Sequence, residues 1–203
     1  MTDKKTQNSE PESIEEDHFN SQTISIKVQK KLASKLSTKK LVKFFIDETS
    51  ARVFNNLNLL LRAFCGSKKE ANKLMKTVVK INAKLAILFI NGVLSNSDIE
   101  ILAKSRNAFA KVAQICLNIH RKKYRETVNL DPLIEQFGQC HNSIMVIAKN
   151  YLTEKSQQKI TTCTNFFCDK EFLLTVFSDQ EPYNGFMEKI CEDIQELIDR
   201  GML

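Results

Sequence analysis

Hydrophobic residues recur every three or four positions from about residue 50 onward, which predicts an almost entirely helical chain. The first run extends from Val53 to Phe64 and ends at Gly66, a typical C-cap residue. The second contains Leu85–Ile90, which is apolar on all sides. A helix with that composition is expected to lie centrally and to be buried on every side. The third carries apolar residues to Ile119 and ends in a basic stretch that begins at His120, which suits a helix C-terminus.

Polar residues at the ends of these runs predict where the helices begin. Ser67-Lys-Lys-Glu70 and Ser97-Asp-Ile-Glu100 match the capping box, and Asp131-Pro132 matches an N-cap followed by a first-turn proline. Four further helices are predicted over residues 131–151, 153–168, 169–177 and 182–201. The 203 residues include only 5 Gly and 3 Pro, too few for a turn-rich β fold. The sequence therefore predicts one all-α domain of about seven helices.

The first 46 residues differ sharply in charge from the rest. Residues 1–20 hold six acids and two lysines, so this segment is predicted to be an acidic disordered tail. Residues 21–46 hold seven lysines and no acid, although the whole chain carries only +6. Ile24, Val28, Leu32 and Leu36 form one apolar stripe, which favours a basic amphipathic helix over residues 21–37; the alternation of Thr23–Gln29 alone would favour a strand. Such a helix either packs on the body or docks on an anionic membrane, and the pattern does not separate the two.

Candidate catalytic and metal-binding motifs are absent from the sequence. The six cysteines include no C-x-x-C pair, and Cys140 beside His141 lacks the marks of a nucleophile with its base. No P-loop, dinucleotide fingerprint or nucleophile elbow occurs. The longest apolar run has six residues, too short to cross a bilayer, and no signal peptide is visible. We expect a soluble intracellular protein that is not an enzyme, with reduced thiols, no metal and no cofactor.

Seven short stretches resemble the tumour necrosis factor alpha-induced protein 8 family over roughly residues 22–203. They are Gln29–Lys35, Phe45–Ser50, Ser67–Ala71, Tyr151–Ser156, Glu181–Tyr183, Lys189–Cys191 and Leu197–Gly201. The resemblance implies six to seven antiparallel helices around a large apolar central cavity. The basic N-terminal helix would precede a helical lipid-cavity domain over residues 38–203.

The same resemblance implies a non-enzymatic function in lipid signalling. Members are regarded as carriers of phosphoinositides that act in the cytoplasm and at the plasma membrane on apoptosis, inflammation and cell migration. The expected ligands are phosphoinositides or another phospholipid or fatty acid, with an anionic membrane surface as docking partner. Small GTPases or G-protein subunits are expected protein partners, and nucleic acid is not, since few aromatic residues interleave the lysines. The alternative is a helical adaptor in cell death that acts through protein contacts, with lipid only structural.

Family positions transferred to this chain give candidate site residues. The lipid headgroup and membrane are expected to contact Lys30, Lys31, Lys35, Lys39, Lys104 and Arg106. A second family arginine corresponds to Ile90, which removes one donor for phosphate and puts the usual headgroup selectivity in doubt. The cavity is expected to be lined by Val78, Leu85, Phe89, Phe109, Val112, Cys116 and Ile144.

Overall fold

Seven α-helices account for most of the computed structural model, which describes residues 47–122 and 128–203. The helices are α1 (Glu48–Cys65), α2 (Lys68–Ile90), α3 (Asn96–Lys122), α4 (Asp131–Tyr151), α5 (Glu154–Phe167), α6 (Lys170–Val176) and α7 (Tyr183–Asp199). The described residues contain no strand. The predicted all-α fold with about seven helices is therefore confirmed. The acidic tail, the basic N-terminal helix and its lysines at positions 30, 31, 35 and 39 lie outside the described residues.

Six of the helices form a closed ring of contacts. Helix α1 packs against α2, α2 against α5, α5 against α4, α4 against α3, α3 against α7, and α7 against α1. The short helix α6 contacts α1, α5 and α7, so it bridges helices that are not all neighbours in the ring. Because consecutive helices are not always adjacent in space, this order could not be read from the loops.

Side chains at the helix ends explain most of the boundaries. Gly66 ends α1 with φ +60°, a conformation that favours glycine. Ser67 caps α2, its Oγ accepting from the Glu70 N–H at 3.3 Å, and Asn91 ends that helix. Asp169 caps α6 by accepting from the Phe172 N–H at 2.8 Å. The Gly66 and Ser67 caps lie where the sequence predicted them.

Two predicted helix starts were wrong by one or two residues. Helix α3 is capped by Ser95, whose Oγ accepts from the Asp98 N–H at 3.2 Å while the Asp98 carboxylate accepts from the Ser95 N–H at 3.0 Å. The capping box is therefore Ser95-Asn-Ser-Asp98, because an aspartate three residues after a serine closes the same reciprocal pair. Helix α4 begins at Asp131 itself, and its N-cap residue is Leu130.

The apolar end of α2 also differs from the prediction that it is buried on every side. Leu85 and Ala86 are buried, but the next four residues, 87–90, keep part of their surface accessible. A helix in a ring has packed neighbours on two sides only, so the burial of its inner face depends on which side chains fill the centre of the ring.

Candidate functional site

Many large apolar side chains around the core keep accessible surface. Partial exposure of apolar side chains is common at the edge of a packed core, because there is too little polar surface to cover a folded domain. The partly buried residues that pack against the main core cluster include Phe54, Leu57, Phe64, Ile115, Cys116, Phe137, Phe166, Phe167 and Ile194. They come from α1, α3, α4, α5 and α7, so the feature belongs to the ring as a whole.

Phe109 is the most informative of the accessible apolar residues. It lies four residues after Ser105 and three before Val112, and both of those residues are buried. Residues at these spacings share one face of a helix, so Phe109 belongs to the inward face of α3. Its side chain is nevertheless 53% exposed, whereas Val112 is 5% exposed. Phe109 therefore lies on the same face of α3 as buried residues and still keeps about half of its surface accessible.

Cys116 continues the same stripe two turns after Phe109. Its surface is partly accessible, yet desolvation by burial raises the pKa of its thiol to about 12. A group on the outer surface would be hydrated and would not be desolvated so strongly. The Cys116 sulfur is therefore enclosed by protein atoms, although part of the residue's surface stays accessible.

Asn82 places a polar group in the corresponding stripe of α2. It lies three residues after Val79 and three before Leu85, both buried, but is itself exposed. Its Nδ2 donates to the Val78 carbonyl at 2.9 Å, so the amide folds back on its own helix. Asn82 was not among the predicted site residues, although a single polar residue within an apolar stripe is visible in the sequence and could have identified it.

Aromatic side chains fill the region where α1, α5 and α6 meet. The ring of Phe172 lies 5.0 Å from that of Phe64 and 4.8 Å from that of Phe166, measured between centroids. Phe167 packs edge-on against Phe166 and Phe172 and stacks with Phe137 of α4 at 6.4 Å. Aromatic contacts of this kind stabilise a fold by more than the apolar area they bury. This aromatic cluster therefore holds α1, α4, α5 and α6 together.

The residues predicted to line a cavity divide between two apolar clusters. Val112 and Cys116 belong to the main cluster, whereas Leu85, Phe89 and Ile144 belong to a second, smaller one. Leu85 and Val112 are buried by protein neighbours, and Val78 and Phe89 are partly buried. Contact of any of these residues with a ligand stays a prediction.

The two predicted headgroup residues of α3 point in different directions. Arg106 and Lys104 are two residues apart, so they project about 160° apart around the helix axis. Arg106 lies one turn before Phe109 and two turns before Ala113, which is buried. Lys104 is followed two turns later by the exposed Lys111. Both cations are exposed and, within the part of the chain that the structure describes, make no hydrogen bond or ion pair. Only Arg106 therefore lies beside the accessible apolar stripe.

A polar network that the sequence analysis missed joins the start of α1 to the end of α7. Arg52 donates to Asp193 at 2.8 Å and to Glu196 at 2.9 Å, and Thr49 donates to Glu196 at 2.7 Å. Arg200 pairs with both Asp47 and Glu196.

The network controls the titration of Asp47. Burial alone favours the neutral carboxyl, but hydrogen bonds from Arg200 and from the Thr49 and Ser50 N–H groups hold the pKa of Asp47 below its ordinary value. Asp47, Thr49 and Arg200 lie within two of the recognised stretches, Phe45–Ser50 and Leu197–Gly201, whereas the other members of the network lie outside them, and spacing alone could not pair them.

A second buried polar group connects α3 to α4. The Asp98 carboxylate is 5% exposed and accepts from Ser95 Oγ at 2.6 Å and from Tyr151 Oη at 2.7 Å. These two hydrogen bonds stabilise the anion and hold the pKa of Asp98 below its ordinary value. Tyr151 therefore has a structural role, which its place in the sequence pattern did not indicate.

The cysteines lack the features of a catalytic or metal site. All six are free, and burial raises the pKa of the thiols of Cys140 and Cys163. The His141 ring contacts Thr164 Oγ1 at 3.1 Å, and burial lowers the pKa of the imidazole. A thiol held protonated is a poor nucleophile and a poor metal ligand. No group of three potential metal ligands occurs within residues 47–122 and 128–203. In the same ranges no helix is long and apolar enough to span a bilayer.

Comparisons with known proteins agree with this fold. Residues 19–201 match the family model described as tumor necrosis factor alpha-induced protein 8-like. The chain is 29% identical to tumor necrosis factor alpha-induced protein 8-like protein 1 of Danio rerio over 187 residues, covering 92% of this chain and all of that protein. It is 27% identical to human tumor necrosis factor alpha-induced protein 8 over 190 residues, 94% of this chain and 95% of the relative.

A solved structure has the same fold at low sequence identity. The C-terminal region of G-protein interacting protein 1 (Gip1) from Dictyostelium discoideum superposes with a TM-score of 0.67 and 14% identity. The match covers 79% of this chain and 97% of that structure.

Proposed function

This chain belongs to the tumour necrosis factor alpha-induced protein 8 family, a membership that supports a signalling role connected with apoptosis, and we propose that it acts by binding and transferring phospholipids, phosphoinositides among them. The acyl chains occupy the space bordered by Phe109 and Cys116, and Arg106 contacts the headgroup. The protein works in the cytoplasm and associates peripherally with the plasma membrane. The observation that carries the proposal is the half-exposed Phe109 on the inward face of α3.

The energetics of lipid transfer require an apolar space of this kind. Exposing one CH₂ group to water costs about 0.8 kcal/mol, so an 18-carbon chain costs on the order of 14 kcal/mol. Headgroup contacts alone could not offset that cost for two chains. An apolar interior makes the move from bilayer to protein nearly neutral, and the charge-assisted bonds of Arg106 then favour anionic headgroups. Ile90 offers no such bond, so this chain relies on fewer headgroup donors than the family pattern provides.

Native mass spectrometry after incubation with vesicles of phosphatidylcholine and phosphoinositide tests this function. The wild type should retain phosphoinositide, and Arg106→Glu should lose it. Lys111→Glu is the matched control, since Lys111 is an exposed cation on the outer side of the same helix. Retention of neutral lipid alone would support a lipid carrier but contradict the preference for phosphoinositides. Absence of any lipid from the wild type would contradict the proposal.

The second candidate is a helical adaptor, in which any lipid is only structural. It is favoured by the fold shared with Gip1, a protein named for its interaction with a G protein. A Cys116→Phe variant separates the candidates, because the larger side chain takes up volume in the proposed acyl-chain site. The carrier predicts loss of lipid retention. The adaptor predicts unchanged binding to a G-protein subunit or small GTPase by a variant that no longer holds lipid.

A further inference from the structure

Lysines are concentrated on one side of α2, away from its buried face. Lys69, Lys73, Lys80 and Lys84 are exposed and follow one another at spacings of four and seven residues, so they project from the same side of the helix. The row from Lys69 to Lys84 is about 22 Å long.

The neighbouring helix α5 extends this surface. Lys84 Nζ donates to Ser156 Oγ at 2.7 Å, which places the start of α5 beside the α2 row. Lys155 and Lys159 flank Ser156 and are exposed. We call the surface formed by Lys69, Lys73, Lys80, Lys84, Lys155 and Lys159 the lysine face.

The lysine face has few acids to balance it. Helix α2 carries six lysines and one acid, Glu70, and the start of α5 adds Glu154. Among the described residues, Lys69, Lys73, Lys80, Lys155 and Lys159 make no ion pair. Like charges four residues apart on a helix are mutually destabilising, and here the sequence keeps several such pairs without compensation. A local cost kept without a structural benefit is typical of a binding surface.

Opposite charge is gathered elsewhere on the ring. Helix α7 carries five acids and one lysine, Lys189, and Arg52 and Arg200 pair with two of these acids, Asp193 and Glu196. Helix α1 packs between α2 and α7, so the basic and acidic helices lie on opposite sides of it. Solvated surfaces usually mix both signs, whereas this segregation gives the molecule a directional field that would orient it toward an anionic partner.

We propose that the lysine face docks on an anionic lipid surface. Two adjacent helices present their ammonium groups over an extended area, which suits a plane of charge better than one phosphate held by convergent donors. Every cation of the face is lysine, whereas recognition of a single phosphate group typically uses the bidentate fork of arginine. No exposed aromatic residue interleaves these lysines, as stacking on nucleic-acid bases would require. The docking surface is distinct from the interior and does not depend on lipid being held there.

The experiment is vesicle binding by the full chain with a triple variant, Lys69→Gln, Lys73→Gln and Lys80→Gln. Vesicles contain phosphatidylcholine with or without phosphatidylserine. Each lysine near an anionic leaflet contributes about a fivefold change, so the triple variant should bind phosphatidylserine vesicles on the order of 100-fold more weakly at low salt. The difference should shrink at high salt, where exposed charges are screened.

The matched control replaces Lys111, Lys170 and Lys189 with glutamine. These exposed lysines are scattered over α3, α6 and α7, so the control has the same net charge as the test variant. It should retain vesicle binding within about tenfold of the wild type. Equal losses in both variants would overturn the proposal, since net charge alone would then explain binding.

Two further outcomes would also overturn it. Unchanged vesicle binding by the triple variant would mean that other residues dock the protein. Unchanged vesicle binding with weaker binding to a fluorescent oligonucleotide would assign the face to nucleic acid. Lipid retention by native mass spectrometry, measured on the same variants, reports on the interior alone, so failure of the docking surface and failure of the carrier function remain distinguishable.

Discussion

Truncating Phe109 should destabilise the protein much less than truncating Phe172, although both are inward-facing phenylalanines. Phe172 is 3% exposed and sits among the rings of the aromatic cluster, whereas Phe109 is 53% exposed. If the surface of Phe109 faces open space, its removal uncovers little and leaves no new cavity. The comparison therefore measures how closely Phe109 is packed by other protein groups in solution.

The expected losses in the free energy of unfolding differ enough between the two variants to be measured. Replacing a fully buried phenylalanine by alanine costs about 3–5 kcal/mol, because the transfer free energy is lost and a cavity remains. Phe109 has about half of its surface buried, so Phe109→Ala should cost about 1 kcal/mol from transfer alone. A gap of about 2–4 kcal/mol between the variants follows.

Urea unfolding of delipidated protein, followed by circular dichroism, provides the free energies of unfolding. The slopes of the transitions should agree between the variants, since a changed slope would mean a changed denatured or native state. Equal costs for Phe109→Ala and Phe172→Ala would refute the reasoning, because Phe109 would then be packed in solution. A Phe109→Glu variant adds the functional readout: it should fold, yet retain less phospholipid than Phe109→Ala, since a carboxylate is poorly solvated beside acyl chains.

Three further predictions follow from the polar contacts and the thiols. Arg200→Ala should lower the melting temperature at pH 7 and by less at pH 3, because the depressed pKa of Asp47 contributes stability that is complete above its ordinary value of 3.8 and is lost as the pH falls through the folded value; an equal effect at both pH values would contradict this. Tyr151→Phe should raise the pKa of Asp98 toward its ordinary value, measurable by carboxyl NMR titration, and an unshifted pKa would show that the Ser95 bonds suffice. Cys116 should resist iodoacetamide at pH 7.5 in the folded protein, since a pKa of about 12 leaves almost no thiolate; rapid labelling, located by peptide mass spectrometry, would argue against an enclosed position.

Partner identification depends on which surface is tested. Phe109 and Cys116, the lysine face and the network between α1 and α7 use different side chains, so variants in one should leave the other two intact. The network joins Asp47 and the first turn of α1 to the C-terminal part of α7, and it holds the start of α1 against α7. Its disruption is expected to affect the stability of this region rather than lipid selectivity.

The sequence alone determined the helices and most of their ends. Apolar residues at spacings of three and four, together with Gly66, Ser67 and Asp169, act within one or two helical turns, so local physics is sufficient to place them. The start of α3 was misplaced because Ser95 and Ser97 are both acceptable caps, and only the position of Asp98 decides between them. The short motifs also identified the family correctly, since they are spread in order along nearly the whole chain.

Only the tertiary structure decided which helices are neighbours and what their inner faces contact. A hydrophobic stripe looks the same in sequence whether it packs against side chains or borders an open space, because periodicity reports direction and not the distance to the opposite wall. Phe109 and Val112 differ little in pattern, yet one is half exposed and the other buried. The pairing of Arg200 with Asp47, 153 residues apart, likewise depends on the ring closing, because long-range contacts form only when the packing of whole helices brings their ends together.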